Sequence, residues 1–72
     1  MNYTYKRVQL LKQAFLDSLT SEATNRLLRA GGEPELYVKN KRDAICIFCL
    51  NQKMDLRQCN TYLERYGEVP LV

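Results

Sequence analysis

Cys46-Ile47-Phe48-Cys49 has the C-x-x-C spacing that serves zinc binding or thiol–disulfide exchange. A structural zinc ion normally takes four ligands, and the chain offers three cysteines and no histidine, so a self-contained site would have to enlist a carboxylate. A redox pair belongs at a helix N-terminus after a strand, where the helix dipole lowers a thiol pKa. This pair lies inside the apolar run Ala44-Ile45-Cys46-Ile47-Phe48-Cys49-Leu50. Cys46, Cys49 and Cys59 therefore read as small core hydrophobes, reduced in a cytoplasmic setting.

Without histidine, acid–base or nucleophilic chemistry would fall to carboxylates, Tyr, Lys or Cys. Glu22, Asp43 and Asp55 sit where helices should begin, which explains them without chemistry. Gly31-Gly32 follows a helical stretch and lacks the downstream Gly-Lys of a phosphate loop. The expectation is a non-enzymatic chain with no cofactor, no metal and no small-molecule substrate.

The elements that would position these residues are helical. Val8, Leu11, Phe15 and Leu19 recur at helical spacing from Tyr5, predicting a first helix that ends near Ser18. Thr20 is a candidate N-cap for a second helix running to Ala30, where Gly31-Gly32 and Pro34 stop it. Asn40 with Asp43 resembles an N-cap and acidic first turn; Asp55 with Gln58 fits a capping box for a fourth helix ending at Gly67. The run 44–50 alone suits a buried strand as well as a helix.

Comparing the chain with itself at a shift of 35 residues decides this in favour of a helix. The alignment is gapless and gives seven identities over 32 pairs, among them Lys6-Arg7 on Lys41-Arg42, Asn25 on Asn60, Gly32-Glu33 on Gly67-Glu68 and Leu36 on Leu71. The apolar run then superposes on Gln9 to Phe15, predicting a third helix over 42–52, buried on more than one side. The fold class expected is all-α: a compact four-helix bundle of two tandem helical hairpins, about 6–37 and 41–72, in one domain spanning 1–72. A chain of this length buries only about 60% of its unfolded surface, so the expectation is a fold that is marginally stable or supported by a partner.

Asn25 and Asn60, poor helix formers repeated at one place, imply an amide tie from helix to neighbouring backbone, such as the inter-helix turn. The net charge of +3 is modest and both signs alternate. Val38-Lys39-Asn40-Lys41-Arg42 is the densest basic stretch. Among the tyrosines, Tyr3, Tyr5, Tyr37, Tyr62 and Tyr66, the pair Tyr62 and Tyr66 reads as core edge, whereas Tyr37, with Leu36, is a candidate protein interface. No apolar run is long enough for a membrane span, and Met1-Asn2-Tyr3-Thr4 does not open a signal peptide.

The segments Asn25-Arg26-Leu27-Leu28, Pro34-Glu35-Leu36-Tyr37, Lys41-Arg42-Asp43-Ala44, Asn60 and Gly67-Glu68-Val69-Pro70-Leu71 are similar to the helical part of Xre/Cro-like transcriptional regulators of Gram-positive bacteria, over most of residues 7–72. In those regulators the DNA-reading helices precede this part, and this chain starts too late to hold all of them. The resemblance thus implies a regulatory setting rather than direct sequence reading. The first expectation is a protein-interaction module that self-associates or serves a protein partner. The alternative is a minimal helix-turn-helix formed by helices three and four, with Arg57, Gln58, Thr61 and Arg65 facing the major groove and Lys39, Lys41 and Arg42 on phosphates. Glu64 opposes that use, and Asn51-Gln52-Lys53-Met54 lacks the usual turn glycine.

Overall fold

The computed structural model describes residues 4–72, so Met1 to Tyr3, with the readings made of them, lie outside the described residues. Four α-helices follow in order: α1 Tyr5–Leu16, α2 Ser21–Ala30, α3 Lys41–Asn51 and α4 Leu56–Arg65. Among the described residues there is no strand, and no helix is long and apolar enough to cross a membrane.

Each helix starts on a side chain that accepts the N–H of the residue three places on. Thr4 takes Arg7 at 3.1 Å, Thr20 takes Ala23 at 3.2 Å, Asn40 takes Asp43 at 2.9 Å and Asp55 takes Gln58 at 2.8 Å. Gln58 Oε1 returns the bond to Asp55 N–H at 3.0 Å, closing the box anticipated at α4. Such caps each contribute about 1 kcal/mol.

All four helices also stop alike, with one left-handed residue and a bond closing back over five residues. Gly32 (φ 77°) and Gly67 (φ 76°) serve α2 and α4, where Glu33 N–H reaches the Leu28 carbonyl and Glu68 N–H reaches that of Leu63, both at 2.8 Å. Ser18 (φ 55°) and Lys53 (φ 60°) do the same for α1 and α3, with Leu19 N–H on Ala14 O and Met54 N–H on Cys49 O at 3.0 Å. The left-handed turn therefore needs no glycine here, but a β-carbon in that region costs about 1 kcal/mol. Ser18→Gly is expected to raise stability by about 0.5–1 kcal/mol in urea denaturation, since the Ser18 side chain is exposed and only its backbone is used. A loss of stability would show that the serine side chain carries an interaction of its own.

Packing follows the same spacing. The buried positions Arg7, Leu11, Ala14, Phe15, Thr24, Leu28 and Leu36 of the first hairpin correspond, 35 residues on, to the buried Arg42, Cys46, Cys49, Leu50, Cys59, Leu63 and Leu71 of the second. Helix α1 packs on α2 and α4, and α3 packs on α4 and α2, so one core is shared between the hairpins. The apolar run of α3 is helical, as expected, but not buried all round: Cys46, Cys49 and Leu50 face the core while Phe48 is 47% exposed.

Both repeated asparagines tie helix to backbone. Their target is the segment leaving each hairpin rather than the inter-helix turn. Asn25 Oδ1 accepts Leu36 N–H at 2.8 Å; Asn60 Oδ1 accepts Leu71 N–H at 2.7 Å while its Nδ2 donates to Leu71 O at 3.0 Å. Leu36, expected at an interface, is consequently buried at 7% exposure. Its hydrophobic side chain completes the core beneath the connector.

The buried arginines complete these exits. Arg7 donates to the Pro34 carbonyl, and Arg42 to the Pro70 carbonyl at 3.1 Å. Arg7 also pairs with Asp43 at 3.3 Å, and Asp43 Oδ2 accepts Tyr37 N–H at 3.0 Å. The start of α1, the connector and the start of α3 thus meet at one buried carboxylate. At the opposite end Lys53 Nζ donates to Ser18 O and Ser21 N–H to Asn51 Oδ1, both at 2.9 Å.

Candidate functional site

The second hairpin leaves an open groove of about 440 Å³ between α3 and α4, lined by Lys41, Ala44, Ile45, Phe48, Tyr62 and Tyr66. Helical geometry explains its composition. On α3, positions 41, 44, 45 and 48 form one face beside the core face of 42, 46, 49 and 50. Tyr62 of α4 and Tyr66, its C-cap, are one turn apart, alongside the core residues Cys59 and Leu63. Phe48 and Tyr62 meet edge to face with centroids 5.9 Å apart and planes at 65°. Tyr66, 51% exposed, stands at the end nearer Lys41.

One cation lines the groove and a second lies over the ring of a wall residue. Lys41 Nζ lies 6.0 Å from the centre of the Tyr66 ring and 4.0 Å from a Glu68 oxygen, while the Arg65 guanidinium lies 5.5 Å from the Tyr62 ring. Both distances to the rings are within cation–π range.

The first hairpin provides an internal comparison. Where the second has Phe48, Tyr62 and Tyr66, the first has Gln13, Leu27 and Gly31 at positions 35 residues earlier. Leu10 lies against Gly31 so closely that a β-carbon there would come within 2.7 Å of Leu10 Cδ1. The same helical pair is therefore built without aromatic walls, and packing does not by itself demand them.

Neither a family model, nor a curated protein, nor a solved structure matches this chain.

The residues expected to contact nucleic acid are divided by the structure. Arg57, Thr61 and Arg65, four apart, form one exposed stripe on α4, with Thr61 Oγ1 donating to Arg57 O at 3.1 Å. Gln58 is exposed but occupied by the capping box. Lys39 is exposed in the connector, and Lys41 belongs to the groove. Arg42 is corrected outright: at 7% exposure, with its guanidinium on Pro70, it is a tail anchor and not a phosphate contact. Tyr37 is 60% exposed, separated in burial from Leu36.

The groove aromatics escaped assignment as a site because Phe48 reads as part of an apolar run and Tyr62 and Tyr66 as core edge. The available signal was the pair of substitutions Gln13 against Phe48 and Gly31 against Tyr66, which add aromatic surface at two matched positions.

The three cysteines are free and buried. Burial pushes the Cys49 thiol up, with Cys46 adding to this and a hydrogen bond to Cys59 opposing it. A hydrogen bond with Cys46, followed by burial and the charge of its neighbours, pushes Cys59 well up. Cys49 and Cys59 are thus held as neutral thiols near neutral pH, the opposite of the lowered pKa that activates a nucleophile. Among the described residues, no group of three or more His, Cys, Asp and Glu side chains is arranged to hold a metal ion.

Proposed function

We propose that the chain is a non-enzymatic protein-interaction module, working in the transcriptional-regulatory setting that its sequence resemblance implies. The open aromatic groove of the second hairpin carries this reading. Half-exposed Phe48 and Tyr66 place aromatic surface between the paired helices at the two positions where the first hairpin has Gln13 and Gly31, whereas the exposed apolar residues of α1, Tyr5 and Leu16, line no such groove. Aromatic side chains in partly formed pockets are the usual anchors of binding energy.

The test is association of the full chain, with itself and with co-expressed regulators, by size-exclusion chromatography and light scattering. Phe48→Gln with Tyr66→Ser is expected to weaken association by at least about 30-fold, since a single hot-spot side chain of about 2 kcal/mol already accounts for that factor, while helicity is retained. A wild-type chain that stays monomeric and engages no regulator, or a variant that associates unchanged, would refute the reading.

The stripe Arg57, Thr61 and Arg65 favours a second reading, direct DNA binding through α4. Asp55 places a carboxylate at the N-terminus of that helix and Glu64 adds another on its exposed surface, which sets negative charge toward phosphate. Co-elution with duplex DNA at low salt, lost in Arg57→Ala with Arg65→Ala, would establish this second reading in place of the first.

A further inference from the structure

Resting on the interaction reading, we propose that the α3/α4 groove receives an amphipathic helix of another protein, its aliphatic side chains against Ala44 and Ile45 and its carboxylates on Lys41 and Arg65. The lining chooses among occupants. Its volume of about 440 Å³ is that of a small-molecule site, yet the lining has no convergent set of polar groups to orient a small molecule. A nucleobase needs open ring faces for stacking. Here Arg65 lies over the Tyr62 ring, Lys41 over the Tyr66 ring, and Phe48 meets Tyr62 edge to face. What stays open is an aliphatic floor between aromatic walls, the surface into which a helix sets apolar side chains at i, i+3, i+4 and i+7.

Charge then selects the helix. Lys41 lines the groove and Arg65 lies over the ring of its wall residue Tyr62, and the Lys41 side chain remains 61% exposed with Glu68 at 4.0 Å. At the matching places the first hairpin has Lys6 and Ala30, so the second cation, like the aromatics, belongs to this groove alone. A second copy docking groove to groove would bring Lys41 and Arg65 of both chains together, and Glu68, already beside Lys41, is among the described residues the one carboxylate placed there to offset each pair of cations, so like charges oppose contact. A partner with carboxylates flanking its apolar stripe meets no such repulsion.

The test uses two synthetic amphipathic peptides of about 18 residues, identical in their leucine stripe and flanked either by Glu or by Lys. They are titrated into the isotopically labelled full chain and followed by amide chemical shifts. The Glu peptide is expected to shift Ala44, Ile45 and Phe48 and to bind about tenfold more tightly at low salt, the preference shrinking at high salt and reversing in Lys41→Glu with Arg65→Glu. Equal affinity of the two peptides at the groove would overturn the acidic partner and leave the interaction module standing. No groove shifts with either peptide, together with a strictly monomeric and partnerless chain, would overturn both. Groove shifts on concentrating the protein alone, or on adding single-stranded DNA, would replace the proposed occupant by a second copy or by nucleic acid.

Discussion

Asp43→Ala is expected to cost about 3 kcal/mol or more of folding stability, measured as a shift in the urea midpoint followed by helical circular dichroism. The side chains of Arg7 and Asp43 are 6% and 7% exposed. One carboxylate oxygen, Oδ2, takes both the Arg7 guanidinium at 3.3 Å and Tyr37 N–H at 3.0 Å. Removing one member of a buried pair strands the other's charge, which typically costs about 3–5 kcal/mol. A domain of this size has a total of only about 4–11 kcal/mol at ordinary stability per residue, so the variant should be close to unfolding. Asp43→Asn, which can still accept Tyr37 N–H but loses the charge, is expected to fall between the two. The sharper measurement is the cycle with Arg7→Met. If the cost of Asp43→Ala is mainly the stranded guanidinium, the double variant will be less destabilised than the sum of the singles by at least about 1 kcal/mol. Additive losses would mean that the two side chains act independently, and a single-variant loss below about 1 kcal/mol would mean that the carboxylate is not what joins the hairpins.

That pair also marks where sequence reading stops. Caps and stops are local, and Thr20, Asn40 and the Asp55–Gln58 box could be recognised because each acts within one helical turn. The helical state of residues 44–50 came from aligning them with the earlier hairpin, since an apolar run that supplies both a core face and a groove face has little periodicity of its own. Arg7 and Asp43 are 36 residues apart, each directly follows a basic residue, Lys6 or Arg42, and each stands in the first turn of a helix, so nothing local distinguishes them from solvated charges. Arg42 misled for the same reason: in a basic stretch it looked like a phosphate contact, whereas its alignment with Arg7 was the better guide, because both point inward to proline carbonyls. Ser18 and Lys53 concealed their left-handed turns by not being glycine. The groove was half legible. The one-turn spacing of Tyr62 and Tyr66 reads as core edge, and only tertiary packing shows that they, with Phe48, wall a groove outside the core.

The second large effect is expected at Asn60. Asn60→Ala should destabilise the protein by about 3 kcal/mol and abolish slow hydrogen exchange at the Leu71 amide. The Asn60 amide serves both backbone groups of Leu71, at 2.7 and 3.0 Å, and Leu71 itself is fully packed in the core. Truncation leaves two backbone groups without these partners, each costing about 1–3 kcal/mol if it stays buried. The alternative for the chain is to release the segment, which returns the Leu71 side chain to water at a cost of about 1.5–3 kcal/mol. Either route gives a similar total, but exchange separates them: a protected Leu71 amide would mean that side-chain burial alone holds the tail. Asn60→Asp, keeping the acceptor for Leu71 N–H and losing the donor to Leu71 O, should preserve part of the protection. The consequence extends to the groove. Arg42 is held by the neighbouring Pro70 carbonyl, and Lys41, next to Arg42 in the first turn of α3, faces Glu68 on the same segment. Freeing Leu71 therefore loosens the cationic end of the groove while leaving Phe48 and Tyr62 in place. In Asn60→Ala the preference for an acidic peptide should weaken more than the binding of its leucine stripe, provided the variant is assayed well below its melting transition.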